Sequence, residues 1–61
     1  MNIYVIYKQL IDGSGQIEKI ELVECDADET KAASFSKLYN LQIPTDLRNR
    51  ISYAYIGTHV I

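Results

Sequence analysis

The sequence has few of the residues that small proteins use for covalent or metal-bound stability. It contains one cysteine, Cys25, one histidine, His59, one proline and no tryptophan. A single thiol cannot close an intramolecular disulfide, and together with one imidazole it falls short of a four-ligand zinc site. We therefore predict a chain without disulfide, metal or cofactor. We expect Cys25 to be a buried small hydrophobic residue.

Long apolar runs and targeting signals are also missing. No stretch approaches the roughly 18 apolar residues of a membrane span, and residues 2–7 follow Met1 without a basic region or a cleavage site. These absences predict a complete cytoplasmic gene product. With 48% hydrophobic and 23% charged residues, the sequence indicates a single folded domain over residues 1–61.

Small size and uneven charge both favour association with a partner. A 7.0 kDa chain removes only about 60% of its unfolded surface from water, so its core is thin and a bound partner would add stability. The net charge of −2 is divided into −5 over residues 17–30 and +3 over residues 31–61. Such a separation orients charged partners, although an ordinarily solvated surface has the same pattern.

The first half of the sequence predicts a β-hairpin. Residues 2–11 are rich in β-branched and aromatic side chains, and the turn sequence over residues 12–15 has two glycines. Residues 16–25 predict the returning strand. Their apolar residues alternate imperfectly with the polar ones, which requires either a bulge or burial on both faces.

The second half predicts a helix and a last strand. The spacing of Asp26 and Glu29 is that of a capping box, so we expect a helix from Asp26 through Asn40, with Asn40 as a left-handed terminator. Residues 44–50 are predicted as a loop, in which one short helical turn is the alternative. Residues 51–61 predict a strand with Ile51, Tyr53, Tyr55 and Ile61 on one face.

This order of elements predicts an α+β fold with two layers. A right-handed helical crossover places the first strand between the other two, giving a three-stranded, mostly antiparallel sheet in the order 2-1-3 with the helix on one face. We expect Ile3 and Val5 to be buried under Phe35 and Leu38. The other face, left bare, is predicted to be a binding or dimer surface.

The sequence offers no set of catalytic residues. His59 has no nucleophile or orienting partner that the sequence identifies, and the six carboxylates over residues 18–29 lack the spacing of a calcium loop. The glycines of residues 12–15 are not followed by a phosphate-binding motif. We predict that the protein is not an enzyme.

Tyrosine is the residue that most suggests a binding role, with five in 61 residues. The predicted partner-binding residues are Tyr53, Tyr55 and Ile51 as anchors, with Arg48 and Arg50 at the rim. Three alternatives remain: the tyrosines complete a small core, the same residues bind single-stranded nucleic acid, or the acidic residues 18–29 form the binding surface.

In its size, and in its order of a hairpin, a helix that begins with acidic residues and a last strand, the chain resembles small phage-encoded proteins of the host-takeover and anti-defence class. These include inhibitors of host RNA polymerase and antitoxins that block an RNA-degrading host toxin. The resemblance covers the element order along the whole chain and no motif, so it carries over no functional residue. It implies a protein that inhibits or redirects a host protein. A structural homodimeric subunit is a further alternative.

Overall fold

Three strands and one helix form the fold, which a computed structural model describes for residues 1–60. The sheet consists of β1 (Asn2–Ile11), β2 (Ile17–Asp26) and β3 (Ile51–His59), and α1 (Glu29–Leu41) connects β2 to β3 through a 3-10 turn at Thr45–Leu47. β1 is antiparallel to both neighbours, in the order β2-β1-β3. The predicted α+β fold is confirmed. Ile61, predicted on the last strand, lies outside the described residues.

The β1–β2 turn is organised by one carboxylate. Asp12 Oδ1 accepts hydrogen bonds from Ser14 N at 2.8 Å, from Ser14 Oγ at 2.6 Å and from Gln16 N at 3.1 Å. Gly15 supplies the positive φ of 89° that the turn requires. The Ser14 hydroxyl, followed by the two backbone N–H groups and the charge of Arg50, lowers the pKa of Asp12 below 3.8. The predicted hairpin is confirmed.

Both ends of α1 differ from the prediction. The N-cap is Asp28, whose Oδ1 accepts from Thr30 N at 2.8 Å, while Asp26 accepts from Asp28 N in the turn before it. Asp26 was therefore the wrong cap, because it belongs to the end of β2. Asn40 is inside the helix, which ends at Leu41 with a right-handed C-cap, so its prediction as a left-handed terminator is also wrong.

Two register shifts in β2 explain its imperfect alternation. The β1–β2 register shifts between Ile6 and Tyr7 and again between Leu10 and Ile11, leaving Val23 and Glu18 as the extra residues of β2. The shift at Val23 reverses the phase of the strand. As a result Ile20, Leu22 and Cys25 all lie on one face, and of the two alternatives the bulge is the correct one.

The helix covers the opposite side of the sheet from the one predicted. The buried residues are Ile6, which is completely inaccessible, with Ala32, Ser36 and Ile43. Burial of Ile3 and Val5 under Phe35 and Leu38 is therefore wrong, and both of those helix residues are exposed. The small side chains at Ala32 and Ser36 allow the helix to approach the sheet closely, which turns the bulkier residues of α1 toward solvent.

Candidate functional site

Within residues 1–60, no layer covers the side of the sheet away from α1, and we call this side the uncovered face. Register pairing places three rows of side chains across it: Cys25 beside Val5 and Ile56, Leu22 beside Tyr7 and Ala54, and Ile20 beside Gln9, with Ile3 and Thr58 completing one end. A shallow concavity on this face is lined by Val5, Tyr7, Gln9, Ile20, Leu22, Ile56 and Thr58. All three strands therefore contribute to one surface.

Large apolar side chains are exposed on this face. Leu22 retains 78% of its accessible surface, Ile56 59% and Ile20 55%. Single exposed aliphatic residues are common on protein surfaces, but these three lie on the two outer strands of one sheet and form a patch with Val5 of the central strand. Patches of this kind on a small protein are typical of interaction surfaces.

Charge is segregated away from the uncovered face. The strand residues that register pairing places on this face include no Lys, Arg, Asp or Glu. The charged residues of β1 and β2 that have a register partner lie on the helix side of the sheet: Lys8, Lys19, Glu21, Glu24 and Asp26. On that side Tyr39 donates a hydrogen bond to Glu24 Oε1 at 3.1 Å. Desolvation and then this bond raise the pKa of Tyr39 above 10.0.

The structure places the predicted anchors on the helix side. Ile51, Tyr53 and Tyr55 are half-buried, and the Tyr53 ring lies 5.2 Å from that of Tyr39 between centroids. The Tyr55 ring makes an edge contact with Tyr4 at 6.4 Å. Tyr53 thus contributes to the packing between sheet and helix, and Tyr55 contacts the neighbouring strand β1. A partner-binding role for both tyrosines stays a prediction.

The two predicted rim arginines are exposed but separate from each other. Arg50 donates from Nε to the carbonyl oxygen of Ile11 at 2.7 Å, which fastens the end of β3 to β1. Arg48 instead lines a groove between α1 and β3, together with Ile51 and Leu41. The structure therefore brings Arg48 and Ile51 to one groove, while Arg50, at the end of the sheet, lines a second concavity that Ile51 also lines.

One edge of the sheet is closed by a helix side chain. Asn40 Oδ1 accepts from Tyr53 N at 2.8 Å, and Asn40 Nδ2 donates to Tyr53 O at 2.9 Å. Val60 N donates to Met1 O, and Ile11 N donates to Arg50 O. In this antiparallel register the backbone N–H and C=O groups of the even-numbered residues of β3 therefore hydrogen-bond to β1, and those of the odd-numbered residues point away from it. The amide of Asn40 therefore replaces a neighbouring strand at Tyr53, whose backbone points outward.

Comparisons with protein-family models, with curated proteins and with solved structures gave no match. Within residues 1–60, no helix has both the length and the apolar character needed to span a bilayer. The same residues contain no group of three or more His, Cys, Asp or Glu side chains positioned to hold a metal ion. The imidazole of His59 lies at the exposed end of β3, where Nδ1 is 3.0 Å from Asn2 Oδ1.

Sequence reasoning anticipated a bare face, but the binding residues that it named on β3 lie on the helix side of the sheet. Leu22, Ile56 and Ile20 were not among the predicted binding residues, although they are the most exposed aliphatic side chains of that face. The available signal was the phase change in β2, because only a bulge places Leu22 and Cys25 on the same side. Cys25 is exposed there, so its prediction as a buried residue is wrong.

Proposed function

We propose that this chain is a non-enzymatic protein-binding protein that acts by docking its uncovered face on an apolar, uncharged protein surface. The observation that supports the proposal is the patch formed by Leu22, Ile56 and Ile20, which remains exposed while only Ile6, Ala32 and Ile43 are buried apolar residues in residues 1–60. Covering the patch removes apolar area from water at about 25 cal/mol per Å². The most favourable contact open to this molecule is thus with another protein.

The chemistry of the face favours protein over nucleic acid. A nucleic-acid surface requires Lys or Arg to neutralise phosphates, and none of the residues that line the uncovered face is basic. Tyr7 is the one aromatic residue among those that line the concavity of this face, so stacking here is limited to about 1–3 kcal/mol for one base, without the positively charged groove that follows a nucleic-acid backbone. An apolar, uncharged protein surface is the better complement.

The biological form that we propose is stoichiometric inhibition or redirection of a host protein by a phage or mobile-element protein. This proposal is supported by the order of the secondary-structure elements, which resembles that of small phage proteins that take over a host cell. It is also supported by the mode of action, since inhibition by binding needs only a preformed surface. A protein of this kind works by occupancy, so its effect saturates at one chain, or one assembly of chains, per target.

The test compares two leucines that are exposed on different layers. Leu22→Glu places a charge on the uncovered face, and Leu41→Glu places the same charge on α1, where Leu41 is 63% exposed. The tagged chain and both variants are used to capture proteins from a bacterial lysate that also contains untagged chain. We expect a stoichiometric protein, foreign or a second copy, that is lost with Leu22→Glu and retained with Leu41→Glu.

A foreign protein captured in this way is then purified and its activity is titrated with the chain. We expect the activity to change with an end point at a fixed ratio of chains to target, as occupancy requires. The proposal fails if no captured protein depends on Leu22, provided that far-UV circular dichroism shows the variant to be folded. It also fails if the effect on the target grows catalytically with time at substoichiometric amounts of chain.

A further inference from the structure

We infer that the uncovered face binds the uncovered face of a second copy of this chain, forming a homodimer in which two sheets pack against each other. The inference rests on the proposed function, because it names the protein that covers this face. Packing two sheets about 10 Å apart through apolar side chains is a common solution for a sheet with one bare side. Three properties of the chain point to a second copy as the occupant.

The first property is the extent of the exposed surface. A folded monomer of 7.0 kDa is expected to expose about 4,000 Å², and this chain exposes 4510 Å². Its radius of gyration is 12.4 Å, against about 10.5 Å for a compact domain of 61 residues. The molecule is therefore a flat slab with more surface than its mass requires, as is expected for half of a four-layer helix–sheet–sheet–helix assembly.

The second property is the size of the slab. Its two longer dimensions are 38 Å and 20 Å, so a rectangle of about 760 Å² encloses its broad side. A stable protein interface buries about 800 Å² of accessible surface on each partner. The broad side is thus of the order of size that a dimer interface needs, and a second copy matches it in outline.

The third property is charge. The chain has a net charge of −2, so two copies repel each other weakly at long range. The residues lining the uncovered face, among them Val5, Leu22 and Ile56, bring no charged side chain into the contact. Two uncovered faces can therefore meet without desolvating a charge or opposing like charges. Each offers the apolar, uncharged surface that the other requires.

Charge also argues against a dimer formed through the edges of the sheet. β2 is an edge strand over Ile17–Asp26 and carries Glu18, Glu21, Glu24 and Asp26 against one lysine. Joining two such edges would align a net charge of −3 from each copy along one seam, which is unfavourable in an antiparallel pair. The opposite edge, at β3, is partly closed by Asn40. A dimer formed through the broad uncovered face avoids both of these obstacles.

The experiment is sedimentation equilibrium of the purified chain, with Leu22→Glu and Leu41→Glu as the matched pair. We expect the unmodified chain to sediment as a dimer at micromolar concentration, Leu41→Glu to behave identically, and Leu22→Glu to raise the dissociation constant by about 100-fold. A monomer at about 100 μM chain overturns the inference, as does a dimer that persists in folded Leu22→Glu.

The native thiol provides a second measurement that does not depend on a variant. Cys25 is exposed on the uncovered face of the single chain, beside Val5. If a second copy covers this face, the rate of Cys25 alkylation by iodoacetamide falls as chain concentration rises through the dissociation constant. A rate that is independent of concentration while the chain is dimeric overturns the inference, even where Leu22→Glu does not fold.

These outcomes separate the inference from the proposed function. A monomeric chain whose capture of a foreign protein still depends on Leu22 removes the second copy as occupant and leaves the protein-binding function intact. A monomeric chain that captures no protein through Leu22 removes both. A dimer that is lost in Leu22→Glu supports the inference, and if such a chain captures no foreign protein through Leu22, docking of a host protein on the uncovered face is overturned.

Discussion

Replacing Asn40 by alanine tests how the helix is attached to the sheet. Two hydrogen bonds, of 2.8 and 2.9 Å, join the Asn40 amide to the backbone of Tyr53. Each bond contributes about 1 kcal/mol, so their loss costs about 2 kcal/mol. Alanine regains about 0.5 kcal/mol through its higher helix propensity. We expect Asn40→Ala to lower the free energy of unfolding by about 1.5 kcal/mol.

The assay is urea denaturation followed by far-UV circular dichroism at one fixed chain concentration, so that any change in association does not alter the comparison. With a slope near 1 kcal/mol per molar urea, the midpoint should fall by about 1.5 M. Gln42→Ala is the matched control, because Gln42 is exposed at the C-cap of the same helix and should change stability by less than about 0.5 kcal/mol.

A second variant separates the two bonds from the bulk of the side chain. Asn40→Asp keeps an oxygen that accepts from Tyr53 N. It replaces Asn40 Nδ2, which donates to Tyr53 O at 2.9 Å, by a carboxylate oxygen that cannot donate. At neutral pH we expect this variant to be no more stable than Asn40→Ala. The reasoning is refuted if either variant is as stable as Gln42→Ala, because the amide would then contribute nothing as an edge partner.

Two other predictions concern the turns and the strand interior. A Cβ at Gly57 would lie 2.9 Å from Tyr4 Cε1, so Gly57→Ala should cost about 1 kcal/mol in urea denaturation. A Cβ at Gly13 would meet no atom within 4 Å, so Gly13→Ala should leave the free energy of unfolding unchanged or slightly higher. If the two substitutions changed stability equally, the contact between a Cβ at Gly57 and the Tyr4 ring would be contradicted. Because the pKa of Asp12 is lowered from 3.8, the unfolded chain binds more protons, and stability present above about pH 4 is lost as pH falls through the folded-state pKa. Carboxyl NMR titration should place the pKa of Asp12 below 3.8, and Asp12→Asn should flatten the acid limb of the stability curve.

Local signals in the sequence were sufficient for the hairpin and for the order of elements. The turn at Asp12 and Gly15 is determined by side chains within five residues of each other, and the need for a bulge follows from counting apolar positions in β2. The helix was predicted from its apolar spacing. Its start was displaced by two residues because Asp26 and Asp28 are both suitable caps, and only Asp28 is free of the strand.

The side of the sheet that the helix covers could not be obtained from the sequence. Both faces of β1 are apolar, with Val5 and Tyr7 on one and Ile6 and Leu10 on the other, so alternation gives no preference. Which side the helix covers depends on the position of the bulge in β2, because the bulge places the charged residues of this strand on the helix side. It also depends on the small residues of α1, which allow close packing on the sheet. The role of Asn40 is likewise tertiary, since its partner Tyr53 is 13 residues away.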